Sequence, residues 1–248
     1  MQTLTKNNSA PVAIITGGAK RIGAAVSAHL ASIGYTVVIH FNTSIDAAKT
    51  LVEDLKKSGG SAISYQADLT APKAASLMID TIIGKVGRLD LLVNSAAVYT
   101  EDDADLATLA KMKLVNYDAP VVLINKAAKH LRKNNGSVVN IADVAAVTPF
   151  ERARAYSKTK AALLQLTQKL AKELLCEGVR VNAICPGTIL WAEGLSKEKK
   201  ERILNKIPMK HIGTPQDIAK AIEYLAGASY VTGQIISIDG GLILSHMF

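Results

Sequence analysis

Short apolar runs alternate with longer amphipathic segments along the whole chain. Val12-Ala-Ile-Ile-Thr16 is apolar up to its last residue, the pattern of a strand buried on both faces of a parallel sheet. After a glycine-rich turn, AAVSAHLASIG repeats apolar residues at helical spacing and closes on Gly34, a helix stop. The same reading predicts further strands at Tyr35–His40, Ser61–Gln66, Leu89–Val93, Ser137–Ile141, Val179–Cys185 and Gln234–Ile238. Helices are predicted over 46–57, from the start signals Thr70 and Pro72, over 106–131 and over 153–177. Thr214, Pro215 and Asp217 fit the N-cap, N1 and N3 positions of a late helix. Seven strands alternating with helices, with no long linker or repeat, predict one doubly wound α/β domain with a parallel sheet over residues 11–248. Residues 1–10 are polar, lack the apolar core of a signal peptide and are expected to form a flexible tail.

Composition narrows this picture without redrawing it. At 248 residues, 49% hydrophobic and 20% charged, the chain can bury a sizeable core. No apolar run approaches the roughly 18 residues that a membrane span needs. Cys176 and Cys185 have no metal-like spacing and are expected to be reduced thiols of a cytoplasmic protein. The net charge of +8 raises nucleic acid as a partner. The basic residues, however, are spread through helical segments (Lys126, Lys129, Arg132, Lys133; Lys197, Lys199, Lys200, Arg202) with no binding motif, which reads as a solvated basic face.

Two places carry candidate chemistry. Gly17-Gly-Ala-Lys-Arg21-Ile22-Gly23 joins the first strand to the first helix, an order that turns backbone N–H groups and a helix N-terminus toward a phosphate. An NAD enzyme of this design carries an acid near the end of the second strand. Here that place reads His40-Phe-Asn42-Thr43-Ser44, without a carboxylate. Asn42, Thr43 and Ser44 can hydrogen-bond a 2′-phosphate and Arg21 can neutralise it, so NADPH is the expected cofactor; alternatively, the three polar residues cap the next helix. The second place is Tyr156-Ser-Lys-Thr-Lys160. Residues four apart share a helix face, and a nearby ammonium lowers a phenol's pKa by roughly 1–3 units where both are partly desolvated. Tyr156 is thereby a candidate proton donor.

These pieces, taken with Asp68-Leu69, Asn94-Ser95-Ala96-Ala97, Asn116, Pro186-Gly187 and Thr232-Gly233 … Asp239-Gly240-Gly241, resemble the short-chain dehydrogenase/reductase family over nearly the whole chain. The resemblance implies a Rossmann-like fold, nicotinamide hydride transfer and a homotetramer. It implies cofactor contacts from Gly17, Arg21, Ile22, Gly23, His40, Asp68, Leu69, Asn94, Ser95, Ala96, Lys160, Pro186, Gly187 and Ile189. Three positions depart from the family pattern. Arg21 stands at the middle glycine of the phosphate turn, Ser95 at the second Asn of Asn-Asn-Ala-Gly, and Asp143 at the catalytic serine thirteen residues before the tyrosine. Arg21 together with Asp143, Tyr156 and Lys160 resembles the pteridine reductase branch.

That branch implies a small-molecule substrate, a dihydropterin or dihydrofolate, stacked on Tyr99 and bounded by Leu190 and Trp191 in a mobile substrate loop near 188–207. Independently of the family, a carboxylate at 143 can accept from the amide and amino groups of a pterin, or donate to a ring nitrogen when protonated. Burial would raise its pKa and Lys160 would lower it, and both directions stay open at this stage. Asn116 is expected to hold a water that links Lys160 to solvent, or else to bond backbone. The competing readings are a 3-oxoacyl-carrier-protein or general carbonyl reductase, which leaves Arg21 and Asp143 unexplained, and a non-catalytic NADP-binding sensor, which leaves the Asn116, Tyr156 and Lys160 set without use.

Overall fold

The computed structural model describes residues 10–246; the tail expected over 1–10 lies, but for Ala10, outside the described residues. Seven parallel strands form one sheet in the order β3-β2-β1-β4-β5-β6-β7. They are β1 Val12–Thr16, β2 Thr36–Phe41, β3 Ser61–Gln66, β4 Leu91–Asn94, β5 Ser137–Ile141, β6 Arg180–Pro186 and β7 Ile235–Ile238. Helices α1 Arg21–Ser32, α2 Ile45–Lys57, α3 Pro72–Val86, α4 Leu106–Lys113, α5 Ala119–Leu131, α6 Arg154–Leu174, α7 Lys197–Lys206 and α8 Pro215–Gly227 make the crossovers.

Burial on both faces accounts for the unbroken apolar strands. In β1, Val12 and Ile14 face a core with α3, α5 and α6, through Met78, Ile79, Leu123, Leu163 and Leu166. Ala13 and Ile15 face the opposite core with α1, α2 and α8, through Val26, Leu30, Val52, Ile218 and Ile222. Removing a large side chain from either layer costs about 2–5 kcal/mol. The strand order reverses between β1 and β4, where Thr16 is level with Asn94. A ligand crevice is expected outside the strand ends at such a switch point.

Most of the predicted elements are present, displaced by a residue or two at their ends. Thr70 does not cap α3: Ala71 holds the N-cap position, and the Thr70 hydroxyl bonds Asp68 Oδ1 at 2.8 Å. The helix predicted over 106–131 is interrupted by a π-helical turn, Leu114–Asp118. An ion pair from Lys113 to Asp118 at 2.7 Å spans its five-residue step. The widened turn buries Val115 and Asn116. Among the described residues, no helix is long and apolar enough to cross a membrane.

Candidate active site

One cavity of about 1270 Å³ runs along the carboxyl ends of the strands. Its first end is built from the β1–α1 turn. Gly17 takes a left-handed φ of +62° with Ala96 so close that a Cβ would lie 2.9 Å from its Cα. A Cβ on Gly23 would sit 2.2 Å from the Gly17 oxygen, so neither position accepts a side chain. Thr16 Oγ1 accepts from Ser95 N and Ala96 N at 2.9 and 3.0 Å, which joins this turn to the end of β4. Arg21 holds φ of +52°, a strained conformation for a residue with a Cβ. That conformation places an arginine on the cavity wall, beside Lys20.

His40 lines the cavity with both ring nitrogens already engaged as a strut. Its Nδ1 accepts from Gly17 N at 3.1 Å and its Nε2 donates to Ala67 O at 3.1 Å. The backbone donor at Nδ1 fixes the Nε2–H tautomer. Burial lowers the pKa to about 4, so the ring is neutral and its polar atoms are already engaged. Thr43 and Ser44 also differ from expectation. They are not on the cavity wall, and their carbonyls accept from Ile45 N and Ala48 N at 3.0 Å, opening α2. Asn42 alone of the three reaches the wall, as do Ile22, Asp68 and Leu69. Asn94 lies behind the wall, where its amide donates to Asn140 Oδ1 at 2.8 Å and ties β4 to β5.

The second end holds Asp143, Tyr156 and Lys160. Helix α6 starts at Ala153 without a cap of its own. Instead the distant Asp102 accepts from Arg154 N and Ala155 N at 3.0 and 2.9 Å, and these bonds lower its pKa. This carboxylate fixes the first turn of the helix that carries Tyr156 and Lys160. Asp143 performs two tasks with two oxygens. Oδ1 accepts from Ala145 N at 2.8 Å, capping a short 3-10 turn, and Oδ2 accepts from the Tyr156 hydroxyl at 2.8 Å. Burial raises the Asp143 pKa against the opposing effects of these bonds and of Lys160.

The expectation that Lys160 lowers the Tyr156 pKa is reversed here. The Lys160 ammonium donates to Ile141 O at 2.8 Å and stands 5.8 Å from the Tyr156 ring centre. Burial and the bonded Asp143 carboxylate both disfavour tyrosinate and push the phenol's pKa well above its ordinary value. Lys160 is fully enclosed, and desolvation brings its own pKa down to about 8.

Of the two readings of Asn116, the structure shows the bonds to backbone. Its Oδ1 accepts from Val98 N at 2.8 Å, and its amide donates to Val98 O and Thr159 Oγ1 at 2.9 and 3.1 Å. The side chain locks the loop before Tyr99 to α6. Tyr99 is 57% exposed and meets the Tyr156 ring edge-on, centres 5.0 Å apart and planes at 73°.

Pro186, Gly187, Ile189, Leu190 and Trp191 all line the cavity. A Cβ on Gly187 would lie 2.8 Å from Asp239 Cα. Lys200 of α7 stands 5.8 Å from the centre of the Trp191 ring. Lys111, Phe150, Arg152, Leu195, Ile203, Lys206, Leu242 and Ile243 join the wall as well. Leu195, Ile203 and Lys206 fall in the substrate loop expected near 188–207, whereas the others were not singled out, because they converge only through tertiary folding. The exception with a legible signal was Lys20, a second cation adjoining Arg21.

The glycine-bounded end fits a dinucleotide: it offers a positive-φ turn, a helix N-terminus, Asp68 and two cations where a 2′-phosphate would sit. The other end offers a hydroxyl, a carboxyl and an ammonium within one enclosed space, which suits proton transfer. A family model described as enoyl-(acyl carrier protein) reductase matches residues 17–243. The chain belongs to the short-chain dehydrogenase/reductase family. As a member of that oxidoreductase family it is similar to a 3-oxoacyl-[acyl-carrier-protein] reductase of Synechocystis, 35% identical with 95% of this chain and 98% of the relative covered. It is 32% identical to glucose 1-dehydrogenase 2 of Bacillus subtilis, over 96% and 97% of the two chains. Among solved structures, a dehydrogenase/reductase from Sinorhizobium meliloti 1021 superimposes with a TM-score of 0.88 at 32% identity, 94% of each chain covered. A blue fluorescent protein from a metagenomic library, solved with NADPH, gives 0.87 at 28% identity, over 94% and 97%.

Proposed function

We propose that this short-chain dehydrogenase/reductase is an NADPH-dependent reductase of a pterin ring, converting a dihydropterin to a tetrahydropterin and accepting dihydrofolate. One observation carries the substrate class: Asp143 Oδ2 holds the Tyr156 hydroxyl at 2.8 Å. A carboxylate there repels a ketone oxygen and competes with it for the Tyr156 hydrogen, whereas the amide and amino groups of a pterin are donors that a carboxylate accepts from. The NADPH-bound neighbour and the Lys20–Arg21 pair support the cofactor.

When bound, the cofactor supplies a hydride to the carbon of the ring C=N bond. The protein's task is the proton that the ring nitrogen then needs. Burial raises the Asp143 pKa, so this carboxyl takes up a proton more readily than an exposed aspartate. Once protonated it donates to the Tyr156 oxygen and frees the Tyr156 hydrogen for the substrate nitrogen. The Lys160 ammonium, held by Ile141 O, favours the transient phenolate by its charge. Tyr99, exposed at the cavity mouth, offers its ring to the pterin face, and Leu190 and Trp191 bound it from the loop of the 188–207 segment, which serves as lid. A homotetramer is the expected assembly.

A second reading, reduction of a 3-oxoacyl thioester, is supported more directly by the names of the relatives. Identity at this level does not select a substrate, however: relatives acting on a thioester and on glucose by name share about the same fraction of residues with this chain. Position 143 bears on the substrate directly, and it decides our order of preference. NADPH oxidation with a dihydropterin, dihydrofolate and an acetoacetyl thioester in parallel tests it. Asp143→Ser should lower kcat/KM for the dihydropterin at least about a hundredfold, through lost acid–base help, while ketone activity holds or rises. Turnover of the thioester alone by the wild type establishes the second reading.

A further inference from the structure

The cavity mouth beside the proposed substrate end carries charge that neither reading of the reaction uses. Arg152 comes from the loop before α6 and Lys206 from the last turn of α7, and both line the cavity and are exposed. Neither makes an ion pair among the described residues, although the neighbouring Arg154 pairs with Asp102. Helix α7 as a whole carries Lys197, Lys199, Lys200, Arg202 and Lys206 against Glu198 and Glu201, a net of three positive charges. Glu151 is the one acid of this rim on the cavity wall. Ile203 and Lys206 are three residues apart, which puts both on the face of α7 that covers the cavity.

We infer that Arg152 and Lys206 form a seat for an anionic tail on the substrate, outside the enclosed reacting end. The tail is a carboxylate, as on a glutamate conjugated to a pterin, or a phosphate, as on a pantetheine-type thioester. Leu195 and Ile203 line the same cavity and offer apolar surface to the linker between ring or acyl group and anion. Two open cations at the rim of a low-dielectric cleft attract such a ligand and orient it. Arginine grips either anion with paired donors, and lysine adds a point charge.

The inference rests on the proposed function only in placing the reacting group in this cavity, and the test separates the two. Two substrate pairs are compared: dihydrofolate against an unconjugated dihydropterin, and acetoacetyl-CoA against an uncharged acetoacetyl thioester of N-acetylcysteamine. In each pair the members differ in the charged tail. In Arg152→Glu/Lys206→Glu, the ratio of kcat/KM for the charged over the uncharged member should fall about tenfold, since each exposed charge contact is worth a few-fold and reversal adds repulsion. The ratio should also shrink in 1 M salt, where the Debye length is about 3 Å. Lys199→Glu, which changes charge on α7 away from the cavity wall, should move it less than twofold.

Quenching of Trp191, the chain's one tryptophan, gives the same ratios from binding without turnover. A fall in the thioester pair alone keeps the seat and reassigns the substrate class. Unchanged ratios in both pairs overturn the seat, and so does an equal effect of Lys199→Glu, which would show only the field of a basic helix.

Discussion

At the Gly17–Gly23 end the cavity wall is largely close-packed backbone; at the Tyr156 end it is a set of side chains. The first is fixed by close approach. Gly17 and Gly23 leave no room for a Cβ, Thr16 locks two strand ends together, and His40 pins Gly17 N–H from the neighbouring strand. The second rests on a few replaceable groups: Asp143 on a 3-10 turn, Tyr156 and Lys160 on α6, and the wall from 188 to 206. Backbone geometry tolerates little change and therefore serves one ligand type. At the side-chain end a single residue, such as Asp143, can differ while the strands and helices around it stay the same.

The contrast breaks most sharply at Tyr156. Tyr156→Phe removes the one hydroxyl placed to deliver a proton and leaves the glycine end untouched. We expect kcat to fall by about 10²–10⁴-fold, the usual worth of a positioned acid, with NADPH affinity nearly unchanged in a fluorescence titration. Loss of cofactor affinity in parallel would show that the two ends are not separable. Retention of more than a tenth of wild-type kcat would remove Tyr156 from the proton path.

Acid should strike the cofactor end through folding instead. His40 falls from an ordinary 6.5 to about 4 in the folded chain. As the pH drops below 6.5 the unfolded chain binds a proton that the folded chain refuses, so stability declines until about pH 4, where the folded form protonates too. The full shift corresponds to about 3.5 kcal/mol at roughly 1.4 kcal/mol per unit. His40→Asn retains an acceptor for Gly17 N–H without a titrating group. Denaturant unfolding at pH 7, 5.5 and 4.5 should show the wild type losing roughly 2 kcal/mol of it relative to the variant. Parallel pH profiles for the two proteins would mean that His40 is not the group that responds.

Legibility in the sequence follows the same division. Doubly buried strands and no-Cβ glycines leave a strong local signature, so the sheet, the phosphate turn and the Tyr156–Lys160 spacing were readable. What was hidden depended on contacts across the fold. His40 reads as a strand-end ligand until Gly17 N and Ala67 O are found on its two nitrogens. Asn116 reads equally as a water holder or a backbone partner until the π-turn is seen to set it against Val98. The sign of the Tyr156 shift depends on its actual partner: helical spacing alone points to Lys160, whereas the folded chain gives the hydroxyl to Asp143. Asp102 caps α6 from more than fifty residues away, a distance no local pattern spans.

The smallest expected effect sharpens the comparison where the two ends exchange character, at Arg21. With the neighbouring Lys20 it sets a cationic side chain of the glycine turn on the cavity wall, and it does so from a left-handed backbone at φ of +52°. A residue with a Cβ is held there at a cost of about 1–2 kcal/mol, and glycine occupies the same conformation freely. Arg21→Gly removes both the strain and the guanidinium, so stability and selectivity should move in opposite directions. Thermal stability should hold or rise by up to about 1 kcal/mol, after the entropy that glycine restores to the unfolded chain. A hydrogen bond to a charged group is worth about 1.5–3 kcal/mol, so the preference for NADPH over NADH should fall by about tenfold or more. Lys20 remains to supply part of the attraction, and adding Lys20→Ala should erase most of what is left. Steady-state kcat/KM for both cofactors, with a melting curve for each variant, checks the two signs together. Unchanged selectivity in the double variant would place recognition of the 2′-phosphate away from this turn.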